Sequence, residues 1–208
     1  MSAAEPNPPR FAAALLAGGK SSRMGRDKAL LDWHGEPLWR VQANKLSVVS
    51  PARLLLSCRE EQGLEAGEVY AETVFDPPDN PGPLGAIARC LEVAALPLLV
   101  LAVDMPGMTT DYLRGLLAEW RDGDTGLVGR SAYGFEPLAA IYPQRALPLL
   151  RNQMAMGNYR MQSALEFLAG EGIMRVRELA SVELPLFRNA NTPEEYAAWK
   201  TSEPQASP

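Results

Sequence analysis

The stretch FAAALLAGGKSSRMGRDK, residues 11–28, decides the fold of this chain. Its apolar part, Phe11 to Leu16, has the length of a buried strand and runs directly into a glycine-rich loop. Glycines let a chain turn sharply and bring its N–H groups close to anionic oxygen, so such a loop is a candidate phosphate cradle. The segment Lys20 to Lys28 holds four bases and one acid, which favours a polyphosphate site over a solvated loop.

Two familiar nucleotide loops do not fit this stretch. The P-loop pattern GxxxxGK[ST] fails because its leading glycine would fall on Ala14, inside the predicted strand. The dinucleotide pattern GxGxxG fails because Lys20 stands in place of its second glycine. The sequence therefore supports neither a P-loop NTPase nor an NAD-binding protein.

The composition of the whole chain indicates one domain with a proper core. It has 208 residues, 47% hydrophobic and 22% charged, which excludes general disorder, collagen and heptad-repeat architectures. The net charge of −5 argues against a nucleic-acid coat or a basic membrane-surface protein, and no apolar run approaches the roughly 20 residues that cross a bilayer. The stretch 1–10 lacks a secretory pattern. We expect a cytoplasmic protein with one domain, residues 11–200, between flexible tails at 1–10 and 201–208.

The cysteines and the histidine predict no metal cluster and no catalytic triad. Cys58 and Cys90 form no CxxC pair, so we expect two free thiols, buried at a strand end and on a helix. His34 is the one histidine and lies in a turn-like stretch, where we expect it to face solvent. Hydrolase chemistry of the serine–histidine type is therefore disfavoured.

Between the tails, short apolar runs alternate with helical patterns, which is typical of a mainly parallel sheet covered on both faces. The sequence therefore predicts a single three-layer α/β/α domain with a Rossmann-like sheet. Predicted strands are 11–16, 53–57, 73–75, 98–103, 126–129, 138–142 and 173–177. Predicted helices are 37–46, with Pro37 in its first turn, 84–95, 111–119, 145–153, 161–168 and 193–200, the last capped by Thr192.

Two aspartates follow predicted strands. Asp104 comes after the most apolar run in the chain, so it lies at the carboxyl edge of the sheet, where open α/β sheets bind ligands. Its hard oxygens suit Mg²⁺, and the alternative is a helix or turn cap. Asp76 has the same position after a weaker strand, although its proline-rich surroundings leave a plain turn role open.

The loop matches the motif LAGGxSxRMGxDKxL, which resembles the nucleoside triphosphate transferases and most closely the molybdenum cofactor guanylyltransferase (MobA-like) family. The resemblance spans residues 11–199. It continues through Pro81-Gly82-Pro83-Leu84-Gly85, Asp104-Met105-Pro106, Glu136-Pro137-Leu138-Ala139-Ala140-Ile141-Tyr142 and Asn189-Ala190-Asn191-Thr192-Pro193-Glu194-Glu195. One departure is Gly107-Met108, where a bulkier residue is common, so we expect altered packing beside the metal site.

The resemblance implies a nucleotide-diphospho-sugar transferase type of fold and transfer of GMP from GTP to molybdenum-loaded molybdopterin, with release of pyrophosphate. It implies Mg²⁺ on Asp104 and catalytic roles for Lys28, Arg23 and Asp104. The implied nucleotide-binding residues are Leu16, Ala17, Gly18, Gly19, Lys28, Asp76 and Asp104. Asn189 and Asn191 would face the pterin substrate, with a purely structural turn as the alternative.

Several questions stay open from the sequence. Rival activities are a cytidylyltransferase acting on molybdopterin, a sugar- or alditol-phosphate nucleotidyltransferase, and a noncatalytic carrier of nucleotide or cofactor. Expected partners are a protein that supplies molybdopterin and a molybdoenzyme or its chaperone, with no nucleic acid and no membrane. No motif places Tyr133, Arg130 or Arg160, and we expect Met154, Met156 and Met161 to fill the core or to form a flap near Gly157.

Overall fold

The computed structural model describes residues 9–19, 26–69, 71–77 and 82–202. In these ranges strands and helices alternate along much of the chain, as the sequence predicts for an α/β domain. The strands are β1 (Ala12–Leu16), β2 (Asp32–Trp33), β3 (Glu36–Pro37), β4 (Arg53–Cys58), β5 (Glu72–Phe75), β6 (Leu98–Ala102), β7 (Gly126–Ser131), β8 (Gly134–Phe135), β9 (Ala139–Tyr142) and β10 (Met174–Glu178). The helices are α1 (Leu38–Ser47), α2 (Gly82–Ala94), α3 (Thr110–Glu119), α4 (Ala146–Ala155), α5 (Met161–Gly170) and α6 (Pro193–Ser202).

The strand order of the main sheet is β10-β7-β9-β6-β1-β4-β5 within the described ranges, and β8 pairs with β7. Strands β6, β1, β4 and β5 are parallel and β10 is parallel to β7, whereas β9 is antiparallel to β6 and β7. Leu16 lies in register beside Ser57 and Ala102. The residues that follow β1, β4, β5 and β6 therefore emerge at one edge of the sheet. The predicted α/β fold with a mainly parallel sheet is confirmed.

Helices cover both faces of the sheet because its central strands are apolar on both sides. In β1, Ala13 and Leu15 face the layer that contains α1 and α3, whereas Ala12 and Ala14 face α2, α4 and α5. All five residues of β6 are buried, as predicted for a central strand. This packing gives the three layers that the sequence predicts.

An antiparallel hairpin, β2–β3, occupies the turn-like stretch around His34. His34 and Gly35 form its turn with φ of 52° and 95°, and the Gly35 N–H donates to Asp32 Oδ1 at 3.1 Å. His34 is exposed, as expected. The prediction for Pro37 is wrong by one residue, because Pro37 has extended backbone (ψ 137°) and stands before α1 as its N-cap.

The last helix begins at its predicted cap. Thr192 Oγ1 accepts a hydrogen bond from the Glu195 N–H at 3.2 Å, and α6 continues to Ser202, beyond the predicted end at residue 200. Both cysteines are buried free thiols, Cys58 at the end of β4 and Cys90 within α2, as predicted. No helix of the described residues has both the length and the apolar character needed to cross a bilayer.

Candidate active site

A cavity of about 230 Å³ lies at the carboxyl edge of the sheet, where β1, β4, β5 and β6 end. The seven residues predicted to contact the nucleotide all lie on its wall: Leu16, Ala17, Gly18, Gly19, Lys28, Asp76 and Asp104. Gly82, Pro83 and Ala86, from the start of α2, also line the cavity and contribute apolar surface. The structure thus brings residues from distant parts of the chain to one concave site.

Lys28 and Asp104 form the charged centre of this cavity. Lys28 Nζ donates to Asp104 Oδ2 at 2.9 Å and to Asn191 Oδ1 at 2.7 Å. The Lys28 and Asp104 side chains are only 14% and 22% exposed, so solvent screens this ion pair less than a surface pair. Lys28 opens a short 3₁₀ turn that Asp27 caps, because Asp27 Oδ1 accepts from the Ala29 N–H at 3.0 Å. The cap fixes the direction in which the lysine leaves the backbone.

The loop after β6 is held from three sides, which positions Asp104. The Val103 N–H donates to Leu16 O at 3.0 Å, and the Ala190 N–H donates to Asp104 O at 2.9 Å. From α1, the buried Gln42 Nε2 donates to Met105 O at 2.6 Å. The main chain on both sides of the carboxylate is therefore tied to the core and to the segment before α6.

Gly107, at which the sequence departs from the family pattern, packs against α6. A Cβ atom added at Gly107 would lie 2.3 Å from Cη2 of Trp199, a separation that side chains do not tolerate. The indole therefore packs directly against the glycine backbone. The small residue at this position lets the last helix approach the loop that follows β6.

Asp76 faces the cavity from the end of β5. Its Oδ1 accepts from Ser57 Oγ at 2.6 Å, and its N–H donates to Cys58 O at 2.9 Å. Burial raises the pKa of the Asp76 carboxyl above its usual value, and the Ser57 hydrogen bond opposes this shift. A Cβ atom at Gly18 would lie 1.5 Å from Asp76 Oδ2. Glycine is therefore favoured at this position by the nearby carboxylate and not by the conformation of the backbone.

Sequence reasoning missed two residues that hold the glycine loop, Arg59 and Gln62. Arg59 Nη1 donates to Gly18 O and, at 2.9 Å, to Gly19 O, while its Nη2 donates to Asp27 Oδ2 at 2.9 Å. Gln62 Nε2 donates to the same carboxylate oxygen at 2.8 Å. The sequence did offer one signal, the position of Arg59. This residue directly follows β4, at the same edge of the sheet at which Asp104 follows β6.

The two asparagines predicted to face the pterin have different surroundings in the structure. Asn191 reaches the charged centre through Lys28, and its backbone N–H donates to Glu195 Oε2 at 2.7 Å. Asn189 is not among the described wall residues, and its buried Oδ1 has no hydrogen-bond partner within the described part of the chain. Arg23, predicted to be catalytic, lies outside the described residues. The roles of all three stay predictions.

The residues that no motif placed lie away from the described wall of the cavity. Arg130 Nε donates to Glu178 Oε1 at 2.9 Å, and Tyr133 is 95% exposed at the tip of the β7–β8 hairpin. Arg160 is an exposed residue that precedes α5. Among the methionines, Met154 and Met161 pack against the core, whereas Met156 is exposed.

Asp104 fits a divalent cation by its chemistry and its place. It is a carboxylate on the wall of a cavity that is also lined by a lysine and a glycine loop. Within the described ranges, no group of three or more histidine, cysteine or acidic residues could hold a metal ion by itself. Mg²⁺ is often held by one or two carboxylates, with substrate phosphates and water completing its coordination. A single carboxylate therefore suits a metal that is shared with a polyphosphate.

The fold and this site define a nucleotidyltransferase. In structure the chain is similar to molybdopterin-guanine dinucleotide biosynthesis protein A from Archaeoglobus fulgidus (TM-score 0.75, 24% identity, covering 92% of this chain and 97% of that one). It is also similar to a nucleotidyl transferase from Methanothermobacter thermautotroptrophicus (TM-score 0.72, 21% identity, 93% and 97% covered). Residues 13–172 match the model of the MobA-like NTP transferase domain, and the chain belongs to this family.

Two curated relatives carry a more specific name. A probable molybdenum cofactor guanylyltransferase from Opitutus terrae is 38% identical over 193 residues, which cover 91% of this chain and 94% of the relative. A molybdenum cofactor guanylyltransferase from Pseudomonas putida strain KT2440 is 35% identical over 186 residues, with 86% and 92% covered. The similarity thus extends over nearly the whole length of both proteins. Nucleotidyltransferases of this family generally use a divalent metal.

Proposed function

We propose that this protein is a molybdenum cofactor guanylyltransferase that transfers GMP from GTP to molybdenum-loaded molybdopterin and releases pyrophosphate. The observation that carries the proposal is the pair Lys28 and Asp104, 2.9 Å apart on the wall of a cavity that Gly18 and Gly19 also line. The names of the relatives at 35–38% identity support the choice of substrates. The loop, the cation and the carboxylate together suit a nucleoside triphosphate.

In the proposed reaction, the terminal phosphate of molybdopterin attacks the α-phosphorus of GTP. A new P–O bond forms, the bond from the α-phosphorus to the bridging oxygen breaks, and pyrophosphate carries away the electron pair. A phosphate monoester has a second pKa of about 6, so it is already mostly dianionic at neutral pH. The attack therefore needs no histidine base, in keeping with a chain whose one histidine lies exposed on the β2–β3 hairpin.

The protein's main task in this reaction is to offset repulsion between two anions. Two unit charges 4 Å apart interact by about 4 kcal/mol at an effective dielectric constant of 20, enough to slow a reaction by orders of magnitude. The Lys28 ammonium and the backbone N–H groups of Gly18 and Gly19 would supply compensating positive charge along the triphosphate. The Ala17 N–H would not contribute, because it already donates to Ser57 O at 2.8 Å. Catalysis would then consist of positioning and electrostatic stabilisation.

Asp104 would hold Mg²⁺ in this scheme. The bound ion would supply positive charge to the phosphate oxygens and fix their orientation. The Asp104 carboxylate itself is oriented by Lys28 and by the hydrogen bonds of its own main chain. Asn191, which accepts from the same ammonium, would link the nucleotide half of the site to the half that receives the pterin.

Asp76 is the proposed guanine-selecting group. A carboxylate can accept from two neighbouring N–H donors, and guanine offers two such donors on one edge whereas cytosine does not. The backbone of Leu16, which also lines the cavity, would assist. Titrating GTP, CTP, ATP and UTP by calorimetry tests this choice, and a preference for CTP would reassign the protein to cytidylyl transfer.

Pyrophosphate release with molybdopterin, GTP and Mg²⁺ tests the catalytic proposal. Asp104→Asn and Lys28→Met should each lower turnover at least about a hundredfold, the scale of losing one preorganised charge stabiliser. The matched control is Asp111→Asn, which disrupts an exposed ion pair with Arg114 on α3, 3.2 Å long, and should leave turnover unchanged. Near-normal release by either folded site variant would contradict these roles, and tight GTP binding by the wild type without any release would favour a carrier.

A further inference from the structure

We infer that Arg59 is a positioning residue for the phosphate-binding loop. It turns the carbonyl groups of Gly18 and Gly19 away from the cavity and fixes the segment that presents Lys28. The inference deepens the proposed function, because it assumes that this loop receives the phosphates of the nucleotide. Arg59 is not a described wall residue of the cavity, so we expect its effect on a ligand to pass through the loop.

The guanidinium of Arg59 binds two parts of the loop at once. Nη1 donates to the carbonyl oxygens of Gly18 and Gly19, and Nη2 donates to Asp27 Oδ2. The side chain is 22% exposed and that of Asp27 is 16% exposed, so this ion pair is partly shielded from solvent. Because a guanidinium is planar and rigid, one side chain holds Gly18, Gly19 and Asp27 in a fixed relation.

The carbonyl contacts determine where the N–H groups of the loop point. A peptide unit is planar and trans, so its C=O and N–H bonds point in opposite directions. The Gly18 carbonyl belongs to the same peptide unit as the Gly19 N–H. When Arg59 holds that carbonyl, the Gly19 N–H is directed to the other side, and the oxygen that would repel phosphate is removed from the cavity.

The contact with Asp27 extends the effect to the catalytic lysine. Asp27 Oδ1 caps the turn that starts at Lys28, while Oδ2 accepts from both Arg59 and Gln62. Gln62 also donates to Ala17 O at 3.0 Å, and its Oε1 accepts from the Arg59 N–H at 2.7 Å. The start of the loop and the base of Lys28 are therefore tied to the same support.

A matched control exists at the other end of β4, the strand that Arg59 follows. Arg53, at the start of β4, pairs with Glu72 and donates to the carbonyl oxygens of Val93 and Ala94 at 2.6 and 3.0 Å. It thus binds one carboxylate and two carbonyls, as Arg59 does, and its side chain is 29% exposed. Arg53 lies at the end of β4 that is remote from the cavity. The Arg53→Met variant therefore measures only the structural cost of losing an arginine with such contacts.

The experiment measures binding of inorganic tripolyphosphate, GTP and GMP to the wild type and to Arg59→Met, Arg59→Lys and Arg53→Met, with Mg²⁺ and without acceptor. Arg59→Met should weaken tripolyphosphate and GTP about 10- to 100-fold and GMP much less, since GMP carries one phosphate. Arg59→Lys should stay at least about tenfold weaker than wild type, because an ammonium cannot reproduce the three-point contact. Arg53→Met should bind all three ligands as the wild type does.

Several outcomes would overturn the inference. Equal losses for GMP and tripolyphosphate, or a loss no larger than that of Arg53→Met, would mean that Arg59 only stabilises the fold. Full rescue by lysine would mean that its charge acts at long range. If the wild type binds tripolyphosphate without preferring GTP over other triphosphates, guanine selection fails while the inference stands, and if it binds none of these ligands both fail.

Discussion

Replacing Gly18 by alanine should destabilise the protein, because the added methyl group would collide with the side chain of Asp76. The new methyl carbon would lie 1.5 Å from Oδ2 and 2.6 Å from Cγ of Asp76, so the carboxylate must rotate away. Rotation breaks its hydrogen bond with Ser57, 2.6 Å long. Overpacking costs about 1–3 kcal/mol and a lost hydrogen bond to a charged group about 1.5–3 kcal/mol, and because the two are not additive we expect about 2–4 kcal/mol.

For a chain of 208 residues, this loss corresponds to a fall in Tm of about 5–15 °C. Thermal unfolding followed by circular dichroism measures it, with Gly19→Ala as the control, since a Cβ at Gly19 meets nothing within 4 Å. Both variants restrict the unfolded chain equally, so their difference isolates the clash. In an Asp76→Ala background the Gly18→Ala change should cost almost nothing. Equal Tm for the two single variants would refute this reasoning.

Three further outcomes are expected. Gly107→Ala should lower Tm by several degrees, because its Cβ would lie 2.3 Å from the indole of α6, whereas Gly115→Ala, exposed in α3 with open space around it, should leave Tm unchanged or raise it. Burial raises the pKa of Asp76 above 3.8, so the folded state favours the protonated carboxyl, and the stability that this provides at low pH is lost as the pH rises through the raised pKa. Asp76→Asn should therefore have a higher Tm than the wild type at about pH 7, and the difference in Tm should shrink towards about pH 4 in thermal melts. Burial also raises the pKa of Cys58 to about 11 and that of Cys90 to about 12, so a thiol reagent near neutral pH should label both only after unfolding, and rapid labelling of the native protein would contradict their placement.

The parts of the fold that follow from local pattern were predictable from the sequence. Apolar runs of strand length alternating with helical patterns determine the layers, and the run at 98–102 is buried along its whole length. The hairpin β2–β3 was not predicted, because strands of two residues carry no periodic signal. Its turn depends on His34 at a φ of 52°, a conformation that is uncommon for any residue other than glycine.

The candidate site was predictable wherever a polar residue directly follows a buried strand. That logic places Asp76 and Asp104 at the same sheet edge as the glycine loop, and the structure puts all of them on one cavity wall. It could not find the contacts among side chains that are distant in sequence. The hydrogen bond from Lys28 to Asn191 depends on tertiary geometry that no spacing in the chain encodes. The position of Arg59 after β4 indicates its sheet edge, but not its contacts with Gly18 and Gly19.

The hydrogen bond between Lys28 and Asn191 also has a consequence for synthesis of the protein, since 163 positions separate the two residues. At about 5–20 residues per second, a ribosome needs about 8–33 s to add the second partner after the first. During that interval the amino-terminal strand and its loop already exist, while the group that accepts from the lysine does not. A nascent chain that stalls before Asn191 therefore cannot complete the site, and translation products truncated before this residue should lack transfer activity.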